Sequence, residues 1–240
     1  PLHRLITVLA FLAQAFAGRS SLAEEPARPN ILWLTCEDIS PNLGCYGDSY
    51  AVTPNLDRFA AQSVRYTRAF APIGVCAPSR SCLITGMYPP SIGTQHMRCQ
   101  GRLPEGVKLF PAYLRQAGYY CTNNVKTDYN LPAGEFAGTW DESSAKAHWK
   151  NRKPGQPFFA VFNYTTTHES KIRLPEKEYE KRTAEFTAAE RHDPAKAILP
   201  PYHPDTPEVR QDWARYADMI TYMDKQFAAA LAELDAAGLA

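Results

Sequence analysis

Short apolar runs along the chain are each followed by polar or charged residues, and this pattern predicts buried strands. The runs lie at residues 31–34 within "RPNILWLTCED", at 119–126 ("YYCTNNVK") and at 157–168 ("PFFAVFNYTTTH"). Each run is short and largely apolar, which is typical of strands covered on both faces of a parallel sheet. Two carboxylates come after the first run, and the other two segments end in a lysine and a histidine.

Between these runs, apolar residues recur at helical spacing. "TPNLDRFAAQS" (53–63) predicts a helix with Thr53 as its N-cap and Pro54 at the first helical position. "KLFPAYLRQAG" (108–118) predicts a second helix that its last glycine closes. From 209 to 237, apolar residues at steps of three and four predict a long amphipathic helix that packs on the core.

The alternation of strands and helices predicts an α/β fold, with a largely parallel sheet flanked by helices. Residues 130–157 and 170–208 are rich in proline, charged and polar residues, and we expect long connections there. In such folds ligands bind outside the carboxyl ends of the strands. The candidate functional residues described below all follow predicted strands or begin a predicted helix.

The composition indicates one large globular domain. The chain has 240 residues, 45% of them hydrophobic, which is enough for a substantial core. Its 26 basic and 25 acidic residues give a formal net charge of +1 and are interspersed. Because there is no basic block, the sequence does not favour nucleic acid or an anionic membrane surface as a partner.

Residues 1–23 have the pattern of a secretory signal peptide. A basic start is followed by an apolar stretch and by small residues that suit cleavage after Ala17 or Ala23. We therefore expect an exported protein, periplasmic or extracellular, with residues 24–240 as the remaining domain. A retained membrane anchor is the alternative, although the apolar stretch is short for a bilayer. No later segment predicts stable membrane insertion.

Six cysteines in an exported protein could form disulfides. No two of them form a C-x-x-C pair, and no cysteine and histidine grouping has zinc-finger spacing, so we expect no structural zinc site. If Cys76 is reserved for chemistry, five remain and at least one other thiol is unpaired.

The segment "VCAPSRSCLITG" (75–86) combines a cysteine with a helix start. Pro78 suits the first turn of a helix, which would put Cys76 near the N-terminus of that helix. There the unpaired N–H groups favour a thiolate or an anionic ligand. Arg80 follows about one turn later with a guanidinium suited to phosphate or sulfate oxygens. These residues predict an anion site with a nucleophile; a disulfide partner or a core residue is the alternative role for Cys76.

The residues C-A-P-S-R-S-x-L-x-T-G, which begin at Cys76, resemble the full signature of the sulfatase family, in which a maturation enzyme converts the cysteine to formylglycine. "PNILWLTCED" is similar to that family's first strand, "NLGCYGD" (42–48) to the segment after it, and residues 216–239 to the helix before its second metal-binding motif. The resemblance runs from residue 28 to 240. It implies the N-terminal part of an alkaline-phosphatase/sulfatase-like catalytic domain, truncated at its C-terminus.

The resemblance also implies a divalent cation site. Glu37 and Asp38 resemble the paired acidic ligands of a cation that is usually calcium in the family, and formylglycine at position 76 would share it. Carboxylate oxygens suit a hard cation. Most relatives carry two aspartates, so Glu37 is a conservative departure. Lys126 resembles the lysine of the family's G-K-x-H motif, which contacts the sulfate.

Two further positions carry proton-transfer roles in the family. Asp128 stands where the histidine of the G-K-x-H motif would handle the formylglycine hydroxyl proton. A carboxylate can accept a proton but adds negative charge beside an anionic substrate, so a local hydrogen-bonding role stays open. His168 resembles the histidine near the leaving-group oxygen, a general acid. His96 in "GTQHMR" is an additional candidate for the cleft.

The implied reaction is hydrolysis of an organic sulfate ester or sulfamate. Hydrated formylglycine has two hydroxyls on one carbon, one to attack sulfur and one to release the sulfate, while Arg80 and Lys126 balance the oxygen charges. Export favours sulfated carbohydrates as substrates, and a formylglycine-generating enzyme is the implied maturation partner. A phosphonate or phosphate ester hydrolase of the same superfamily and a non-catalytic anion- or glycan-binding fragment remain as alternatives.

Overall fold

The computed structural model describes residues 28–239, so the predicted signal peptide lies outside the described part of the chain. In these residues four strands form one sheet in the order β1-β4-β2-β3. They are β1 (Ile31–Cys36), β2 (Tyr120–Asn124), β3 (Glu142–Ser143) and β4 (Phe158–Tyr164). Every neighbouring pair is parallel, which confirms the predicted α/β fold with a parallel sheet.

The strand β4 is the centre of the core, because its side chains alternate between the two faces of the sheet. Phe159 and Val161 pack on one face with Tyr119 and Cys121. Phe158 and Ala160 pack on the other face in a second cluster, with Trp149. Both faces of β4 are therefore covered by apolar side chains, which explains its nearly continuous hydrophobic run.

Five α-helices accompany the sheet within the part of the chain that the structure describes. They are α1 (Pro54–Ala60), α2 (Cys76–Thr85), α3 (Phe110–Gln116), α4 (Glu176–Thr183) and α5 (Pro207–Ala236). Helix α5 presents Ile220, Met223 and Phe227 as buried residues, so the predicted amphipathic stripe faces the core. Within residues 28–239, no helix combines the length and the apolar character needed to cross a membrane.

The long connections contain more regular structure than the sequence pattern predicts. Strand β3 lies within residues 130–157 and helix α4 within 170–208. The sequence of α4, EKEYEKRT, is almost entirely polar, so it has no apolar stripe to reveal it. Strand β3 has only two residues, and its pairing with β2 defines it.

The N-terminus of α1 is capped from a distant part of the chain. Thr53 occupies the N-cap position as predicted, but its side chain makes no capping hydrogen bond and instead accepts from the Gly44 N–H at 2.9 Å. The buried carboxylate of Asp224 on α5 accepts the Leu56 N–H at 2.7 Å and the Asn55 N–H at 3.2 Å. Helix α5 therefore supplies the anion that the first turn of α1 requires.

We predict that Asp224→Ala lowers the free energy of unfolding by about 2 kcal/mol, because it leaves two partly buried N–H donors without their acceptor. Urea unfolding of the protein, followed by circular dichroism, measures this change in the free energy of unfolding. Asp235→Ala, at an exposed position of the same helix, is the matched control and should change stability far less. Equal effects of the two substitutions would contradict the assignment of Asp224 as the cap.

Candidate active site

The polar residues that follow the three longer strands meet at one edge of the sheet. Parallel pairing aligns Cys36, the last residue of β1, with Tyr164, the last residue of β4, and aligns Asn124 of β2 with Phe162. The segments that continue from these ends carry the predicted site residues. The carboxyl edge of the sheet therefore holds the candidate site, as expected for a parallel α/β fold.

Cys76 is the first residue of α2, which confirms the predicted helix start. Val75 before it has an extended backbone, and Ala77 and Pro78 in the first turn are buried. The helix ends at Gly86, whose φ of 69° is the left-handed conformation that glycine adopts without strain. The thiol therefore lies beside the unpaired N–H groups of a helix N-terminus, where negative charge is favoured.

The Cys76 thiol is flanked by a carboxylate and a thioether. Its Sγ lies 3.8 Å from Oδ2 of Asp128 and 4.0 Å from Sδ of Met97. Asp128 has a φ of 51°, a left-handed backbone that is uncommon outside glycine. A carboxylate within reach of the reacting position is able to accept a proton there.

Arg80 holds the segment after β2 against helix α2. Its Nε donates to the Thr127 carbonyl oxygen at 2.8 Å, and its Nη2 donates to the Lys126 carbonyl oxygen at 2.5 Å. The same Nη2 donates to Oδ1 of Asn163 at 2.8 Å. Arg80 therefore positions Lys126 and Asp128 relative to Cys76, in addition to contributing its positive charge.

Asn163 at the end of β4 is a site residue that the sequence analysis missed. Its Nδ2 donates to Oδ1 of Asn123 at 2.8 Å and to the Asn124 carbonyl oxygen at 3.1 Å, while its Oδ1 also accepts from Thr35 at 3.2 Å. The amide thus links all three longer strands to Arg80. Polar residues inside the otherwise apolar run "PFFAVFNY" were the available signal.

Glu37 and Lys126 form an ion pair at the end of β1. The Lys126 Nζ contacts Oε1 of Glu37, and both side chains are largely buried. The backbone of Glu37 is fixed by Thr167, whose Oγ1 accepts the Glu37 N–H at 3.1 Å and donates to its carbonyl oxygen at 2.5 Å. The structure therefore brings together two residues that the sequence predicted as metal ligand and sulfate contact.

Asp38 and His168 lie close together at the same carboxyl edge of the sheet, after β1 and β4 respectively. Oδ2 of Asp38 accepts the Glu169 N–H at 2.8 Å and lies 3.9 Å from Nε2 of His168. The other ring nitrogen, Nδ1, accepts the Ser170 N–H at 3.3 Å and lies 2.9 Å from the Ser170 hydroxyl. A neutral His168 therefore carries its proton on Nε2, which faces Asp38.

The His96 ring is exposed and has no hydrogen bond or ion pair to the residues above in the described part of the chain. Its carbonyl oxygen instead accepts from the side-chain amide of Asn130 at 2.7 Å. The structure therefore gives His96 a backbone role in anchoring the loop beside Cys76.

The donor set fits a hard cation in part. Among the residues that the structure describes, Oε2 of Glu37 is buried without a hydrogen-bond partner, and the next residue is Asp38 with its own carboxylate. Unpaired carboxylate oxygens are the ligands that calcium prefers. Within residues 28–239, however, no group of three or more histidine, cysteine, aspartate or glutamate side chains is arranged around a metal position. The fit therefore rests on Glu37 and Asp38.

All six cysteines are free thiols in the structure. Cys121 is fully buried, and this burial, with a smaller effect of the Asp141 charge, raises the pKa of its thiol to about 12. Such a thiol stays protonated and inert near neutral pH. Cys76 differs from it in lying partly exposed at a helix start beside other polar groups.

Comparison with known proteins identifies related sequences. A family model described as Sulfatase matches residues 29–240. The ulvan-active sulfatase of Formosa agariphila is 41% identical in an alignment of 251 residues in length. This alignment covers 89% of this chain and 42% of that protein. Human iduronate 2-sulfatase is 36% identical over 113 residues, which cover 47% of this chain and 20% of that protein. The chain thus spans less than half the length of these relatives.

Solved structures share the fold at low sequence identity. A protein from the glycosaminoglycan-metabolism locus of Bacteroides thetaiotaomicron has a TM-score of 0.68 at 16% identity, covering 89% of this chain and 59% of that chain. The phosphonate monoester hydrolase of Agrobacterium radiobacter has a TM-score of 0.63 at 18% identity, covering 88% and 60%. These similarities confirm the expected fold.

Proposed function

Because the chain belongs to the sulfatase family, we propose that it is the N-terminal part, residues 24–240, of a catalytic domain that hydrolyses sulfate esters or sulfamates of carbohydrates. The observation that carries this proposal is the position of Cys76. It begins helix α2 at the carboxyl edge of the sheet, with Asp128 beside its sulfur and the Arg98 cation beside Asp128. This is the arrangement required of a nucleophile that meets an anionic substrate.

We propose that Cys76 is matured to formylglycine by a formylglycine-generating enzyme. The hydrated aldehyde would supply a nucleophilic hydroxyl for sulfur and a second hydroxyl on the same carbon for release of sulfate. The residues around it bind and orient the substrate. The N–H groups that open α2 favour the anion, and the charges of Arg80 and Lys126 offset the charge on the sulfuryl oxygens.

Proton transfer is assigned to Asp128 and His168. Oδ2 of Asp128, at 3.8 Å from the Cys76 sulfur, is positioned to accept a proton from the group at that position. Nε2 of His168 carries the proton of the neutral ring and is the atom that would donate to the leaving oxygen or nitrogen. The two groups thus take opposite roles, one as base and one as acid.

A divalent cation, which we propose is calcium, would be held by Glu37, Asp38 and the residue at position 76. When bound, it would draw electron density from a sulfuryl oxygen. The unpaired Oε2 of Glu37 supports this assignment. Lys126 pairs with the other oxygen of the same carboxylate, so Glu37 would be shared between the lysine and the cation.

The proposed substrate class follows the relatives. Their names record activity on ulvan and on iduronate 2-sulfate, and one structural neighbour was solved with D-glucosamine-2-N,6-O-disulfate. Sulfated polysaccharide outside the cytoplasm also agrees with the signal-peptide pattern of residues 1–23, from which we propose export. A phosphorus ester hydrolase is the second candidate, because phosphonate monoester hydrolases share the fold.

We predict that co-expression with a formylglycine-generating enzyme lowers the mass of the peptide containing Cys76 by roughly 18 Da, the difference between thiol and aldehyde. Mass spectrometry of the tryptic peptide measures it, and a Cys76→Ala protein is the control. The matured full-length protein should hydrolyse sulfate esters faster than phosphonate or phosphate esters in one substrate panel. An intact thiol in the presence of an active maturation enzyme would refute the proposed nucleophile.

For the cation, Asp38→Ala should abolish hydrolysis and weaken calcium binding in the full-length protein, because a hard cation loses a carboxylate ligand. Isothermal titration calorimetry measures the binding separately from activity. Asp212→Ala, which removes an exposed carboxylate of α5, should leave calcium binding unchanged. Equal calcium affinity in Asp38→Ala and the unsubstituted protein would show that the cation binds elsewhere.

For the proton acceptor, Asp128→Asn should keep the side-chain shape, reduce kcat about 10²-fold or more and remove the acidic limb of the pH profile. Lys126→Ala should reduce kcat/KM by a similar factor, about 10², without moving that limb, because it removes charge stabilisation only. An Asp128→Asn enzyme with near-normal rate and pH dependence would assign Asp128 a local hydrogen-bonding role and point to another base.

A further inference from the structure

The loop of residues 95–99 carries an exposed cation to the rim of the candidate active site. Met97 of this loop lies 4.0 Å from the Cys76 sulfur. Nη2 of the next residue, Arg98, lies 3.8 Å from Oδ2 of Asp128, the same oxygen that approaches the sulfur. The Arg98 guanidinium and the Cys76 thiol therefore share one carboxylate oxygen as a neighbour.

This loop is anchored on two sides. The buried side-chain amide of Asn130 donates to the carbonyl oxygens of Thr94 and His96 at 3.0 and 2.7 Å. Thr94 in turn accepts from the Ser81 hydroxyl of α2 at 2.8 Å, and neither of these two residues is accessible to solvent. The loop is thus tied both to the nucleophile helix and to the segment that carries Asp128.

Arg98 itself has an unusual backbone conformation and a largely exposed side chain. Its φ is 54°, a left-handed backbone that side-chain-bearing residues adopt at a free-energy cost and that clusters at ligand sites. Its side chain is 67% exposed. Within residues 28–239 its guanidinium has no hydrogen bond, and its ion-pair partner is Asp128 at a distance too long for one.

We propose that Arg98 is a specificity-determining residue whose guanidinium binds a second anionic group of the substrate, a carboxylate or a further sulfate, next to the sulfate that is cleaved. This inference rests on the proposed function of the site. Arg98 and Cys76 both approach Oδ2 of Asp128, so the guanidinium is near enough to meet a second group of a substrate whose sulfate is bound at Cys76. Its planar fork matches the oxygens of either anion.

The same position explains how the site tolerates Asp128. A carboxylate beside the nucleophile repels an anionic substrate, and Arg98 offsets that repulsion from the solvent side. If this were the whole role of Arg98, its removal would affect every anionic substrate alike. Recognition of a second anion instead predicts an effect that depends on the charges of the substrate.

The test compares four substrates with the matured full-length protein. The first is an aryl sulfate with no second anionic group. The second is a sulfated disaccharide with a uronate carboxylate, and the third is the same disaccharide with that carboxylate reduced to an alcohol. The fourth is the disaccharide with a second sulfate in place of the carboxylate. Arg98→Asn removes the charge while keeping a residue that tolerates the left-handed backbone. Arg98→Lys keeps the charge without the fork.

The selectivity ratio is kcat/KM for the carboxylate or disulfated disaccharide divided by kcat/KM for the disaccharide with the reduced carboxylate. We expect Arg98→Asn to lower this ratio about tenfold, mainly through KM. A tenfold change is the scale of one charged hydrogen bond. Arg98→Lys should restore part of the ratio. Lys153→Ala, which removes an exposed cation before β4 at the opposite edge of the sheet, should leave the ratio unchanged. Comparison of the carboxylate and disulfate arms identifies which anion Arg98 prefers.

The same ratio in an Asp128→Asn background separates the two roles. If Arg98 binds substrate, its effect on the ratio persists without the Asp128 charge; an effect that disappears there, or that is equal for all four substrates, overturns the proposal. Calorimetric binding of the charged and reduced disaccharides to Cys76→Ser and Cys76→Ser/Arg98→Asn proteins gives a reading without turnover. Absence of hydrolysis by the matured protein would therefore reject the proposed function while this arm still decides the role of Arg98.

Discussion

Parallel pairing on both sides of β4 is the constraint on which the candidate site depends. Because β1 and β2 run in the same direction as β4, the segments that leave their carboxyl ends emerge at one edge of the sheet. Glu37, Lys126 and His168 are far apart in sequence but all follow these ends. The apolar faces of β4 fix the register, since a slip by one residue would turn Phe159 and Val161 to the wrong side.

The network around Asn163 couples that sheet to the nucleophile helix. Its amide uses both its donor and its acceptor atoms, and it joins Arg80 of α2 to the strand ends. A buried polar network of this kind is favourable only when each member is satisfied, so a change at Asn163 would disturb stability and site geometry together. The proposed chemistry at Cys76 thus depends on the strand-end amides that hold Arg80 as well as on the residues that flank the thiol.

Opposite charges alternate around the site. Lys126 pairs with Glu37, and Arg98 faces Asp128. Glu37 is proposed to bind a cation and Asp128 to accept a proton. Because each carboxylate has a cationic neighbour, both can lie close to the proposed position of an anionic substrate. The contacts of Asp128 with both the Cys76 sulfur and Arg98 are the feature in which this site departs most from the pattern that the family resemblance implies.

The sequence by itself determined the fold class, the three longer strands, four of the helices and the cysteine at the start of α2. These features depend on local periodicity, on proline and glycine positions and on a short motif, which are all encoded by neighbouring residues. It did not reveal α4 or β3, because a polar helix has no apolar stripe and a two-residue strand exists only through its partner. The tertiary structure alone decided three features of the molecule. They are the capping of α1 by Asp224, the link between Asn163 and Arg80, and the position of Arg98 beside Asp128. Each joins residues brought together by packing rather than by sequence spacing, and no local pattern records such a contact.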